Sequence, residues 1–221
     1  MHLKETLMIF MIKIKLKIAL LFFLFLANSC SINFLDKNTI DQATSFIRLF
    51  NDKEIKSYEN LYIESPYSFM VLTIEEEDTI LIAASFENGY FLWVGPNREF
   101  IKTLNGKVVA SYGIERNIKT IRSDGIKFED GFKFNSLVEL DSKALINVDS
   151  SVKKVQDTSC DFTHPSLDQE TCIVYLEQLH DSKIKWFKDN YYYLDDNQVV
   201  IKTEQNFHPM SKPLEITFYY K

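Results

Sequence analysis

The chain has 221 residues, a formal net charge of −6, 46% hydrophobic and 14% aromatic residues, and only six glycines and three cysteines. An acidic balance excludes nucleic acid as a partner and a basic patch for lipid head groups, and the length suits one domain with a sizeable core or two small ones. The histidines (His2, His164, His180 and His208) are scattered, and neither zinc-like spacing, nor a nucleophile elbow, nor a phosphate-cradling glycine loop is present, so no metal and no cofactor is expected.

From Met11 the sequence MIKIKLKIALLFFLFLANSC sets Lys13, Lys15 and Lys17 ahead of the apolar run Ile18 to Ala27. A basic start, an apolar core of about ten residues and a small-residue exit predict a secretory signal peptide, whereas a membrane span needs roughly twenty apolar residues. A start at Met8 or Met11 in place of Met1 would drop Glu5 from a region that should be basic. The exit Leu26-Ala27-Asn28-Ser29-Cys30 resembles a bacterial lipobox, with Cys30 acylated as the first mature residue. The alternative is an ordinary cleavage site beside an incidental cysteine. Acyl chains such as palmitate on Cys30 would anchor the protein stably, since each buried CH₂ is worth about 0.8 kcal/mol and two chains suffice. Ser31 after the cysteine, in place of aspartate, points to the outer membrane. Residues 1–29 thus read as signal peptide, 30–37 as a lipid-anchored tether and 38–221 as a single β-rich domain. Losing four lysines and one glutamate takes the mature charge from −6 to −9.

Asn38 to Asn51 is the strong helix candidate, with Ile40, Ala43, Phe46, Ile47 and Phe50 on one face and Asn38 or Thr39 as cap. Tyr67 to Ile74 follows as a strand, and Glu75 to Asp78 as its solvated turn. Thr79 to Phe86, Tyr90 to Val94, Glu99 to Leu104 and Lys107 to Tyr112 then form a meander. Asn88-Gly89 and Asn105-Gly106 are its hairpin turns, because both central residues of a type I′ turn need positive φ. A two-residue loop at Asn105-Gly106 sets Lys102 opposite Val109 and Ile101 opposite Ala110. Ile101, Thr103, Val108, Ala110 and Tyr112 then share the core face. Glu115 to Asp130 is polar and punctuated by turns, and Phe132 to Leu140 and Ala144 to Val155 resume strand alternation.

Cys160 and Cys172 are an even pair in an oxidising compartment, and a disulfide across the eleven residues between them would stabilise the fold by roughly 3 kcal/mol. A redox or metal role would call for different spacing. Thr171 to Gln178, Lys183 to Lys188, Tyr191 to Leu194, Gln198 to Thr203 and Leu214 to Tyr220 complete the strands, with Asp195-Asp196-Asn197 the clearest turn. The fold class expected is mainly β: an antiparallel meander closed into a barrel-like or sandwich domain with one N-terminal helix.

Two blocks carry a family resemblance. FLWVGPNREFIKTLNGKVVASYGI, from Phe91 to Ile114, holds Trp93, Asn105-Gly106 and Gly113, and NYYYLDDNQVVIKTEQNFHP, from Asn190 to Pro209, holds Asn190, Tyr192, Tyr193, Asp195, Thr203, Gln205 and Pro209. In these features the chain resembles the group 4 capsule polysaccharide lipoproteins, GfcB or YjbF. The resemblance implies a periplasm-facing outer-membrane lipoprotein that works with proteins of capsule or exopolysaccharide assembly and export, and a β-rich fold; it implies no reaction, and with no catalytic motif in the sequence a non-enzymatic role is expected.

The aromatics Trp93, Trp186, Tyr191, Tyr192, Tyr193, Tyr219 and Tyr220 admit two readings: a stacking platform for sugar rings, or core and rim of the sheet. Trp93, inside a central strand, is expected in the core. Tyr191, Tyr192 and Tyr193, with Asn190 and Gln205 as hydrogen-bond partners, are the candidate contacts for polysaccharide or a protein partner. A glycosidase-like carboxylate pair is the enzymatic alternative.

Overall fold

The computed structural model describes residues 57–155, 158–167 and 171–221, together with Ser45. The helix expected over Asn38 to Asn51, Ser45 apart, the signal segment and Cys30 lie outside them. All described elements belong to the compact unit Lys37–Lys221. Helix α1 (Tyr58–Glu64) precedes thirteen strands: β1 (Phe69–Ile74), β2 (Glu77–Glu87), β3 (Tyr90–Val94), β4 (Phe100–Leu104), β5 (Lys107–Tyr112), β6 (Ile118–Ser123), β7 (Lys133–Leu140), β8 (Leu145–Lys154), β9 (Thr158–Ser159), β10 (Thr171–Asp181), β11 (Trp186–Leu194), β12 (Val200–Gln205) and β13 (Leu214–Tyr219).

Every strand of the ring pairs antiparallel with its neighbour in the chain, except that β8 pairs with β10, and the short β9 lies beside β10 outside the ring. The ring closes where β1 meets β13, with Phe69 opposite Tyr219. The result is a twelve-stranded up-and-down barrel, which removes the exposed sheet edges that an open sandwich would leave.

Local chemistry fixes the hairpins. Asn88 and Gly89 (φ 52° and 81°) and Asn105 and Gly106 (φ 49° and 74°) take the positive φ values of the expected turns. The turn expected over four acidic residues is tighter: Glu75 and Glu76 alone have positive φ, β2 already starts at Glu77, and Lys212 pairs with Glu75. The register of β4 and β5 departs from a plain two-residue hairpin. A bulge at Val109 sets Lys102 opposite Ala110 and Ile101 opposite Ser111, which turns Ser111 inward and leaves Tyr112 64% exposed. The polar stretch after Gly113 contains a strand after all, β6. Lys183 to Leu194 is one hairpin turn and one strand, β11, since Asp189 and Asn190 continue the ladder against Gln178 and Glu177.

Interior positions are apolar, from Met70, Leu81, Trp93 and Ile101 round to Val148, Leu179, Ile216 and Phe218. Most outward positions alternate with them as polar residues, plainly in β8, where Ile146, Val148, Ser150 and Val152 are buried while Asn147 and Asp149 are exposed, with Leu145 at the strand's start the apolar exception. This is the reverse of a membrane-spanning barrel, which turns its apolar residues outward. Among the described residues no helix is long and apolar enough to cross a membrane.

Two places on the outside are apolar because something covers them. Helix α1, capped by Ser57 Oγ accepting from Asn60 N at 3.2 Å, packs Leu61 with Tyr58 and Tyr62 over Phe69, Val71, Ile80, Ile82 and Tyr219. The segment with Cys160, Phe162 and Leu167 covers Cys172, Val174, Tyr191 and Tyr193. It is pinned by His164, whose Nε2 lies 2.8 Å from the Phe218 carbonyl. Cys160 and Cys172 stand at disulfide distance, with Cα atoms 5.7 Å apart. Intact mass of unreduced, alkylated protein should show both thiols blocked, and reduction should lower stability by roughly 3 kcal/mol. Two free thiols in protein taken from its native compartment would refute the pairing.

Candidate functional site

A round barrel of twelve strands would enclose open space, yet this interior is filled. The tip of the β4–β5 hairpin lies against β12: an added Cβ on Gly106 would stand 2.6 Å from Val200 Cγ1. Gln205 secures the hairpin with its amide. Its Nε2 donates to the Gly106 carbonyl at 2.7 Å and to Thr203 Oγ1 at 2.9 Å, and its Oε1 accepts from Val108 N at 3.0 Å. Trp93 Nε1 donates to Thr103 Oγ1 at 2.9 Å in the same interior.

Beside the hairpin lies a buried charge. Glu177 of β10 is fully buried and accepts from Lys107 Nζ, from Asn190 Nδ2 at 3.0 Å and from the Tyr192 hydroxyl at 2.8 Å. Burial alone would raise its carboxyl, but the Lys107 charge and the three donors outweigh that and hold it below the usual glutamate value. Tyr192 is pushed well above the ordinary phenol value, first by burial and then by the Glu177 charge, so it stays a donor. Asn190 Oδ1 in turn accepts from Asn206 N at 2.7 Å. A cavity of about 30 Å³ adjoins Lys107, Asn190 and Gln205. That is room for about one or two waters.

The five candidate contact residues therefore part company. Asn190, Tyr192 and Gln205 face the interior and are buried there, whereas Tyr191 and Tyr193 face outward and are half-covered by the Cys160 segment. Tyr193 donates to Glu204 Oε1 at 2.8 Å and meets Phe162 edge to face. Trp93, Trp186 and Tyr219 are buried as well, so these rings fill the core and its covering instead of forming an open platform. Asp195 organises the β11–β12 turn by accepting from Asn197 N and Val199 N, both at 2.9 Å.

An open aromatic surface does exist, at residues the sequence reading did not single out. On the outer face of β7, β8, β10 and β11, paired positions form two adjoining rows, Lys133–Ser151–Gln178–Asp189 and Asn135–Asp149–His180–Phe187. All of them but Asn135 line a groove of about 880 Å³. Phe187 is 63% exposed, and its ring stacks on His180 with centroids 4.5 Å apart. Asn135 Nδ2 donates to Asp149 Oδ1 at 2.8 Å and Gln178 Nε2 to Asp189 Oδ1 at 3.5 Å. The signal lay in Trp186-Phe187: adjacent aromatics on a strand cannot both face the core.

These features define a closed, water-facing antiparallel barrel held by an interior polar clamp. The chain belongs to the family of YjbF and gfcB, the group 4 capsule polysaccharide lipoproteins, whose model matches residues 43–219. Its fold is similar to a solved structure, the hypothetical lipoprotein YmcC from Escherichia coli (K12), with a TM-score of 0.64 at 16% identity over 80% of this chain and 94% of that one. No curated protein matches the chain.

Proposed function

We propose that this protein is an outer-membrane lipoprotein facing the periplasm, tethered through Cys30, that acts without catalysis in capsule or exopolysaccharide assembly or export. The family match over residues 43–219 carries the reading. The polar outside of the barrel supports a body that stays in water while an acyl anchor supplies the membrane contact. The most deeply buried carboxylate among the described residues, Glu177, is engaged by three donors, which fits a structural role for the interior. Partners are expected among export and assembly proteins and the polysaccharide itself.

The test is a deletion strain complemented with wild type or Cys30→Ala. Wild type should restore surface polysaccharide, carry an acyl mass increment and fractionate with outer membranes. Cys30→Ala should lose the increment and be released into the soluble periplasm. A deletion strain with normal surface polysaccharide would sink the reading, and release of reducing ends from the polysaccharide by purified protein would replace it with the glycosidase-like alternative.

A further inference from the structure

The geometry points to a saccharide-binding groove on the outer face of β7, β8, β10 and β11, with Phe187 as the stacking plane, Asp149, Gln178 and Asp189 as hydroxyl partners, and Asn135 holding Asp149 in place. This inference deepens the proposed function and rests on it for the ligand class: a short run of the polysaccharide chain.

Four observations carry the assignment. First, a phenyl ring 63% exposed on a β-sheet surface offers an apolar plane with no covering element among the described residues, unlike the outer faces under α1 and under the Cys160 segment. Second, the ring is pre-set: His180, its partner on the neighbouring strand, stacks beside it, which limits the side-chain entropy that binding would otherwise cost. Third, the flanking groups are planar amides and carboxylates already paired with one another, Asn135 with Asp149 and Gln178 with Asp189. Such pairs present fixed acceptors and donors to vicinal hydroxyls, while the ring takes the C–H face of the sugar. Fourth, the rows cross four strands, a span of about 14 Å at the usual strand spacing, so the groove suits an extended chain better than a single small molecule. A protein partner fits less well, because stable interfaces centre on a dry apolar patch and the lining of this groove has a single exposed large apolar side chain, Phe187, among charged and amide groups.

The experiment uses the full-length acylated protein in detergent and, as probe, size-fractionated oligosaccharides released by mild acid from the producing cell's own surface polysaccharide. Binding is read by saturation-transfer NMR and titration. Wild type should bind, and Phe187→Ala should bind about tenfold more weakly, with an unchanged melting temperature because the ring is outside the core. Asp149→Asn should weaken binding while leaving stacking contacts in the NMR difference spectrum. Unchanged binding by both variants would overturn the site. No binding by wild type, in cells whose deletion abolishes surface polysaccharide, would overturn this inference and leave the proposed function standing. A photo-crosslinker placed at position 187 that captures a protein instead of glycan in those cells would also overturn it.

Discussion

Lys107→Met should destabilise the barrel by about 3–5 kcal/mol at neutral pH, because it leaves the fully buried Glu177 without its cation. The pH dependence distinguishes this mechanism from lost packing. In the wild type Glu177 sits below its ordinary value, so its contribution is complete at neutral pH and is lost only as pH falls through that lowered value. In the variant, burial is no longer opposed by a charge and the carboxyl must rise above its ordinary value. The folded state then takes up a proton before the unfolded state does. The deficit relative to wild type should therefore shrink as pH falls toward the ordinary glutamate range of about 4.3. Glu177→Gln should cost less, since Lys107 is partly exposed and keeps access to water. The double variant should recover much of the loss, as replaced buried pairs do. Denaturant titrations across this pH range decide the matter, and a deficit that stays constant with pH would rule the buried charge out as its cause.

The network gives seven of the eleven residues of the family resemblance a common place. Trp93, Asn105-Gly106, Asn190, Tyr192, Thr203 and Gln205 are spread over more than a hundred positions of sequence, and all lie on or beside the clamp that fills the barrel. In this chain those residues hold the interior together, and the exposed face available to a ligand is built from others. A filled lumen also bears on mechanism. Polysaccharide cannot thread a barrel whose centre is occupied by a hairpin and a buried ion pair, so any contact with it must be made on the outside.

Much of this was legible in the sequence because it is local. Asn-Gly pairs dictate turns through φ alone, and period-two alternation gives strand existence and facing. The barrel itself follows from many strands joined by short turns. What was not legible is non-local. Gln205 and Asn190 read as surface amides until the fold supplies Gly106, ninety-nine positions away, and Glu177, thirteen away. Lys107 reads as a wet strand residue until Glu177, seventy positions on, appears beside it. The bulge at Val109 carries no glycine or proline, so nothing in the composition marks it, and the facing of Ser111 and Tyr112 reverses with it. Strand β6 escapes because its sequence, IKTIRS, buries only Ile118 deeply. Helix α1 escapes because seven residues are too few for a helical period to show.

Gly106→Ala should cost about 1–2 kcal/mol for a side chain held at φ +74° and about 1–3 kcal/mol more for driving a methyl into Val200. Val200 is buried and β-branched, so it has little rotamer freedom with which to yield. The hairpin tip must move instead, and movement strains the bonds from Gln205 to the Gly106 carbonyl and from Val108 N to Gln205. The two costs separate in a double-mutant cycle. Val200→Ala alone should lose about 2 kcal/mol through the cavity it leaves. In that background the new methyl has space, and Gly106→Ala should cost only its backbone part. The coupling should thus be favourable by about 1–3 kcal/mol, read from denaturation of the four proteins. Equal cost of Gly106→Ala in both backgrounds would mean that the close approach to β12 contributes nothing and that only the left-handed turn demands glycine. Coupling of the expected sign would show that the hairpin seats against β12 inside the barrel in solution, the arrangement on which the clamp and the filled lumen both depend.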